Sequence, residues 1–217
     1  MAMAVDAILR AEGNHAAGAS RARPLQLICV IAAGGFVQGV VMGSHGGIST
    51  QAVYSGLKVP LLLCGSAAVC MPSFYVLNAL LGLRADFAAA FRGVLAAQAA
   101  FAVSLAALAP LVALAYASSD RYLFAIVLNG GVFAVSTSAG QLLLSKHYRR
   151  LIAVNPRHRL GLGAWLSLHV FVAIQLAWVL RPFVGVPGLA PRFFREDAWS
   201  NAYVIVARIV WRFFSGQ

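Results

Sequence analysis

Ten polar side chains within the long apolar runs of this chain stand out as candidates for chemistry: Gln38, Asn78, Gln98, Asn129, Ser136, Thr137, Ser138, His169, Gln175 and Arg181. A polar group within an apolar run is a functional suspect by default, because hydrocarbon offers it no water. The set contains no Asp or Glu. That absence argues against a proton relay or a cation-coupled transporter built on buried carboxylates, and leaves open the carriage of a neutral or anionic solute. The amides of Asn78, Gln98 and Asn129 both donate and accept, which suits interhelical hydrogen bonds worth about 0.6–2 kcal/mol each. Gln38 can serve in the same way. Arg181, in "VLRPF", sits where the fifth apolar run ends. It can snorkel to head groups, or pair with Glu196 or Asp197 and fold the tail back onto the rest of the chain.

Other chemistries find little support. His147, His158 and His169 are spaced by eleven residues, but Pro156 breaks any continuous helix through them. His45 and His169 belong to opposite ends of their runs and cannot share a haem iron. Cys29, Cys64 and Cys70 all lie in apolar runs without a CxxC and read as small buried apolar residues. There is no GxSxG, and "GGFVQG" lies within an apolar run rather than at a strand-to-helix turn. The expectation is no catalytic residue, no cofactor and no metal.

The elements that position these residues follow from composition. Of 217 residues, 61% are hydrophobic and 11% are charged, against about 25% charged in a soluble globular chain. The apolar residues come in runs long enough to cross a bilayer. The fold class expected is all-α, a polytopic transmembrane helical bundle over residues 25–186. Its five spans lie at about 25–44, 57–82, 94–117, 122–144 and 163–184. Residues 1–24 read as a polar arm, and 44–56 as an uncharged turn-rich loop. Pro60 falls in the first turn of the second span, where its missing N–H does little harm. Pro72 and Pro110 are interior, and Pro72 is expected to kink or unwind its helix. Residues 145–159 read as the most basic loop. Tyr54, Tyr116, Tyr122, Tyr148 and Trp165 read as an interfacial belt. Residues 187–217 combine a Pro/Gly linker with an amphipathic helix. Glu196 and Asp197 suit its start, and Arg208 and Arg212 its end, so it reads as lying in the membrane interface.

The first span carries Gly35, Gly39 and Gly43 at four-residue intervals, one stripe on a helix, with Gln38 beside it. In lipid, small residues at this spacing let two backbones approach, so a packing seam is the expectation and a pore lining the alternative. Whether the helix docked there belongs to this chain or to another is open from the sequence.

Net charge is +11. The basic residues flank apolar runs, which points to anionic lipid rather than nucleic acid. Placing the arm in the cytoplasm gives the inner segments ten Lys and Arg and the outer loops two, Lys58 and Arg121. The N-terminus is therefore expected inside. The arginines of the tail conflict with that count.

The run "YSGLKVPLLLCGSAAVCMPSFYVLNALLGLRADF", with "WVLRPFVG" and "FFREDAWSNAYV", resembles a family of uncharacterised bacterial multi-pass membrane proteins. The lysine-proline entry and the second span also resemble Yip1-like five-span membrane proteins. That resemblance implies a role in membrane organisation, and a place in a bacterial cytoplasmic (inner) membrane follows from the first. The function expected is a non-catalytic integral membrane protein, an assembly or scaffold subunit of a membrane complex or a protein of membrane organisation. Its partners are lipid and further copies or other membrane subunits. The alternative is a channel or small-solute transporter with the glycine stripe, Pro72 and Pro110 along its path.

Overall fold

The computed structural model describes residues 24–47, 50–185 and 191–194. They form five α-helices, α1 Pro24–Gly43, α2 Thr50–Leu80, α3 Phe87–Ser118, α4 Tyr122–Val154 and α5 His158–Leu180, with a 3-10 turn at Arg84–Asp86 before α3. No strand occurs among the described residues, and all five helices are long and apolar enough to cross a membrane. The chain is an all-helical, multi-pass bundle of that kind. The polar arm and the tail helix with Glu196, Asp197, Arg208 and Arg212 lie outside the described residues.

Local sequence explains where the helices stop. α1 opens on Pro24, whose fixed φ suits a first helical position. It ends at Gly43, and the chain turns through Gly46 and Gly47, which hold φ of +81° and +117°. α2 closes in a Schellman motif. Gly82 sits at φ +75°, its N–H bonds to Ala79 O at 3.1 Å, and Leu83 N–H bonds to Asn78 O at 2.8 Å. Leu83 is 1% exposed, the apolar contact that accompanies such a cap. Between α4 and α5, Asn155 Oδ1 accepts the Arg157 N–H at 3.1 Å and turns the chain at Pro156.

The helices differ from expectation in three respects, and at two of them, the start of α2 and the end of α4, polar residues are held in helix by tertiary contacts. α2 begins at Thr50, so Gln51, Ser55 and Lys58 are helical rather than part of a loop, and Pro60 is interior. α2 and α3 run unbroken through Pro60, Pro72 and Pro110. α4 runs on to Val154 and takes in most of the basic stretch read as a loop. At 32 and 33 residues, α3 and α4 each measure roughly 50 Å at 1.5 Å per residue. They outreach a hydrocarbon layer of about 30 Å.

α1 lies between α2 and α3; α4 packs on α3, α5 packs on α2, and α4 and α5 barely touch. The helices therefore form a row, α5–α2–α1–α3–α4, whose two ends face each other across a cleft. The end where α1, α3 and α5 begin is called proximal below, and the opposite end distal.

Small residues make the row tight. A Cβ on Gly39 would collide with Ser55 O on α2, and one on Gly43 would lie 2.5 Å from Gln51 O and 2.7 Å from Ala52 Cα. Gly35 faces Pro60, where a Cβ would come within 3.2 Å of the backbone nitrogen. Gly34, on the adjoining face, meets Ala102 O of α3 at 2.5 Å. The stripe thus seats α1 against α2 of the same chain and lines no path. Around it Leu27, Val30, Ile31, Val59 and Leu105 form a buried core. A second cluster, with Phe74, Tyr148 and Trp165, fills the proximal half. Tyr148 and Trp165 are 0% and 2% exposed, so these two are core residues and not members of a belt. Each is fully covered because its neighbouring helix runs past it.

Candidate functional site

Three polar clusters and one cleft organise the molecule. The distal cluster begins on the first turns of α2, where Gln51, Ser55 and Lys58 share a helical face. Lys58 is 0% exposed. Its Nζ donates to Pro182 O at 2.8 Å and to Arg192 O at 3.3 Å, and sits 5.0 Å from the centre of the Phe193 ring. Ser55 Oγ donates to Phe183 O, and Gln51 Nε2 to Pro182 O at 2.9 Å. Together they strap the segment after α5 across the distal end. No carboxylate of the described residues pairs with Lys58; carbonyl dipoles and an aromatic face solvate its ammonium instead. Sequence reasoning placed Lys58 in a loop. The i, i+4, i+7 spacing of Gln51, Ser55 and Lys58 was the signal that could have found this face.

The second cluster joins three helices. Gln38 Nε2 of α1 donates to Asn129 Oδ1 of α4 at 3.3 Å, and Asn129 Nδ2 donates to Ala125 O at 2.7 Å and to the Tyr116 hydroxyl of α3. Both amides are almost fully buried. Asn78 spends its Nδ2 on Phe74 O of its own helix at 2.8 Å, so it bridges nothing. His45 packs its ring 4.9 Å from that of Tyr116.

At the proximal end His158, 1% exposed, meets Asp86 with Nε2–Oδ2 at 3.1 Å and ties α5 to the 3-10 turn. His147 Nε2 donates to Ala89 O at 3.0 Å, and Gly93 leaves the room for its ring. Asp86→Ala removes the one partner that a buried imidazole nitrogen has among the described residues. Such a loss costs about 1–2 kcal/mol, and the expected outcome is a fall of a few degrees in the thermal midpoint of the purified protein.

The cleft lies between α4 and α5. Two cavities, of about 400 Å³ and 280 Å³, share Leu62, Phe133 and Ala177 and so adjoin one another. Its distal part runs past Ile126 and Gly130 to Tyr122 and Arg181, whose guanidinium carbon lies 3.3 Å from the Trp178 ring centre. Its proximal part ends at Leu144 and Trp165. The walls are mostly apolar; Asn129 and Arg181 line the distal part, and Ser66, Gln98, Thr137, Gln141 and His169 line the space near the middle. Gln98 of α3 and His169 of α5 meet across it, with their side-chain nitrogens 2.8 Å apart, and the His169 ring stacks on Trp165 at 5.0 Å and 14°. Because α5 begins at His158, His169 lies midway along the helix rather than near its end.

No family model, no curated protein and no solved structure matches this chain. What it does is argued from the geometry alone.

Of the residues singled out by sequence, the structure brings Gln38 together with Asn129, seats Gly35, Gly39 and Gly43 on α2, and sets Gln98 and Arg181 along the cleft. Pro72 lies in none of these groups. Among the described residues no three His, Cys, Asp or Glu side chains converge as metal ligands.

Proposed function

We propose that this is a non-catalytic membrane protein that organises lipid, by taking one apolar chain from the bilayer into the cleft between α4 and α5. One observation carries the reading: the cleft is mostly apolar, unfilled by side chains and walled by two helices that barely touch. Close-packed interiors leave few voids larger than a water molecule, and a space of this volume falls in the ligand-site range of about 300–1,000 Å³. Ile126, Val170 and Ile174 on its flanks are each more than two-fifths exposed, so the space is approached from the side, through lipid.

Size selects the occupant. An α-helix about 10 Å across rising 1.5 Å per residue fills roughly 120 Å³ per residue. The larger cavity, at about 400 Å³, therefore admits three or four residues of one, whereas a single hydrocarbon chain is slender enough to lie along it. The glycine stripe, whose partner the sequence left open, is occupied by α2. That leaves lipid as the partner best supported. The proximal end bears Arg84, Arg92, Lys146, Arg149, Arg150, Arg157 and Arg159. Near an anionic leaflet each contributes about 1 kcal/mol, which favours that end in the cytoplasm of a bacterial inner membrane.

Ala177 lines both cavities, so Ala177→Trp fills the junction. In vesicles containing phospholipid with a photoactivatable group on its acyl chain, the wild type is expected to crosslink mainly at Phe133, Ala177 and their neighbours. In Ala177→Trp those crosslinks fall at least tenfold. Crosslinks spread evenly over the outer faces of all five helices, unchanged by the substitution, refute the reading.

A further inference from the structure

The middle of the cleft is more polar than a hydrocarbon chain needs. Gln98 is 7% exposed and spends one amide atom on His169 Nε2 at 2.8 Å. Two nitrogens at that distance need one proton between them. If Gln98 Nε2 supplies it, His169 carries its own proton on Nδ1, which is wholly occluded and has no hydrogen-bond partner. A buried N–H without an acceptor is the rarer and costlier defect, compared with a buried lone pair. Rotating the Gln98 amide by 180° exchanges its oxygen and nitrogen without moving another group. His169 Nε2–H then donates to the Gln98 oxygen, His169 Nδ1 keeps only a lone pair, and the Gln98 NH2 is turned to the cavity that Gln98 lines. The second amide atom of Gln98 has no partner among the described residues and is not among the occluded atoms.

We propose that the cleft binds a neutral, carbonyl-bearing lipid, of which an isoprenoid quinone is the type. Its carbonyl accepts from the Gln98 amide at mid-depth, and its tail leaves between α4 and α5. The inference rests on the cleft being a lipid site and adds the chemistry of the head. Three observations select it. The donor meets His169, which stands halfway along α5, whereas a phospholipid keeps its charged head at the membrane surface. No Lys, Arg, Asp or Glu lines the proximal cavity, so an ionised head has no counter-charge there. Trp165 and His169, stacked on each other, line the same cavity as the donor, and aromatic surface suits a planar head. The site binds, and no electron or group transfer is involved.

The test uses the full chain in nanodiscs doped separately with a ubiquinone-type lipid, with squalene as a hydrocarbon lacking the carbonyl, and with phosphatidylglycerol. After re-purification in detergent the retained lipid is counted per chain. The wild type is expected to retain about one quinone and little squalene, and Gln98→Leu to lower quinone retention about tenfold, the loss of one good hydrogen bond. In the wild type, carbon-13-labelled quinone also shows a downshifted carbonyl stretch in infrared difference spectra, which reports the bond without any variant. Equal retention of squalene and quinone, with no carbonyl shift and no effect of Gln98→Leu, overturns the carbonyl inference and leaves the cleft as a chain-binding site. Retention of phosphatidylglycerol alone overturns it in favour of a charged lipid. If nothing is retained and the acyl-chain crosslinks avoid Ala177, both readings fail.

Discussion

Gly39→Ala, the addition of one methyl group, is expected to destabilise the protein by about 3 kcal/mol, the upper part of the usual range for overpacking. The same change at Gly131 or Gly163 is expected to be neutral or stabilising. The added Cβ at Gly39 meets the carbonyl of Ser55 and the Cα of Gly56, backbone atoms that can yield only if α1 and α2 move apart. At Gly131 and Gly163 it meets nothing within 4 Å, and alanine has the better helix propensity, by about 1 kcal/mol. Between these extremes the cost falls from Gly43, where a Cβ lies 2.5 Å from Gln51 O, to Gly35, where the nearest atom is at 3.2 Å. Thermal midpoints in one mild detergent, read by fluorescence-detected size exclusion, give the order directly. A flat series across the five positions contradicts the α1–α2 seam.

Lys58→Met is expected to free the distal strap without unfolding the bundle. The ammonium donates to Pro182 O and Arg192 O, and Pro182 O keeps the Gln51 amide when Lys58 is lost. The charged hydrogen bond to Arg192 O is lost, worth about 1.5–3 kcal/mol, and the contact with Phe193 goes too. Against this, a buried cation without a carboxylate carries a desolvation cost that methionine relieves. The two effects fall on different observables. The thermal midpoint is expected to hold or rise, while the strap opens about thirtyfold more often for a loss of 2 kcal/mol. Val184 is 5% exposed, so Val184→Cys, on a background with Cys29, Cys64 and Cys70 replaced by alanine, reports opening through its rate of maleimide labelling. An unchanged rate contradicts the role given to Lys58.

The legibility of this fold divides along a physical line. Apolar runs of span length are a local property, and the five helices follow from them. Helix ends were harder, because they depend on what the polar residues find to bind. Gln51, Ser55 and Lys58 look like loop residues until the carbonyls of Pro182, Phe183 and Arg192 are placed over them. Tyr148 and Trp165 stand at the edges of apolar runs, where aromatics commonly mark an interface. Only the overlap of α3, α4 and α5 past those edges buries them. Gly35, Gly39 and Gly43 were legible as one helix face, but the helix that meets them was not, since spacing fixes a face and says nothing about what lies against it. The cleft was invisible for a deeper reason: it is a missing contact between α4 and α5, a property of how five helices share neighbours and of no single segment. Gln98 and His169 were each visible as polar residues; their meeting across that space was not.

The measurement that bears most directly on the central claim is a lipid-resolved structure of the full chain in a nanodisc of native-like composition. The account predicts one elongated density between α4 and α5, in contact with Phe133 and Ala177 and reaching the Gln98 amide. A structure in which α4 and α5 close on each other, with Phe133 packed against Ala177 and no density between them, contradicts it.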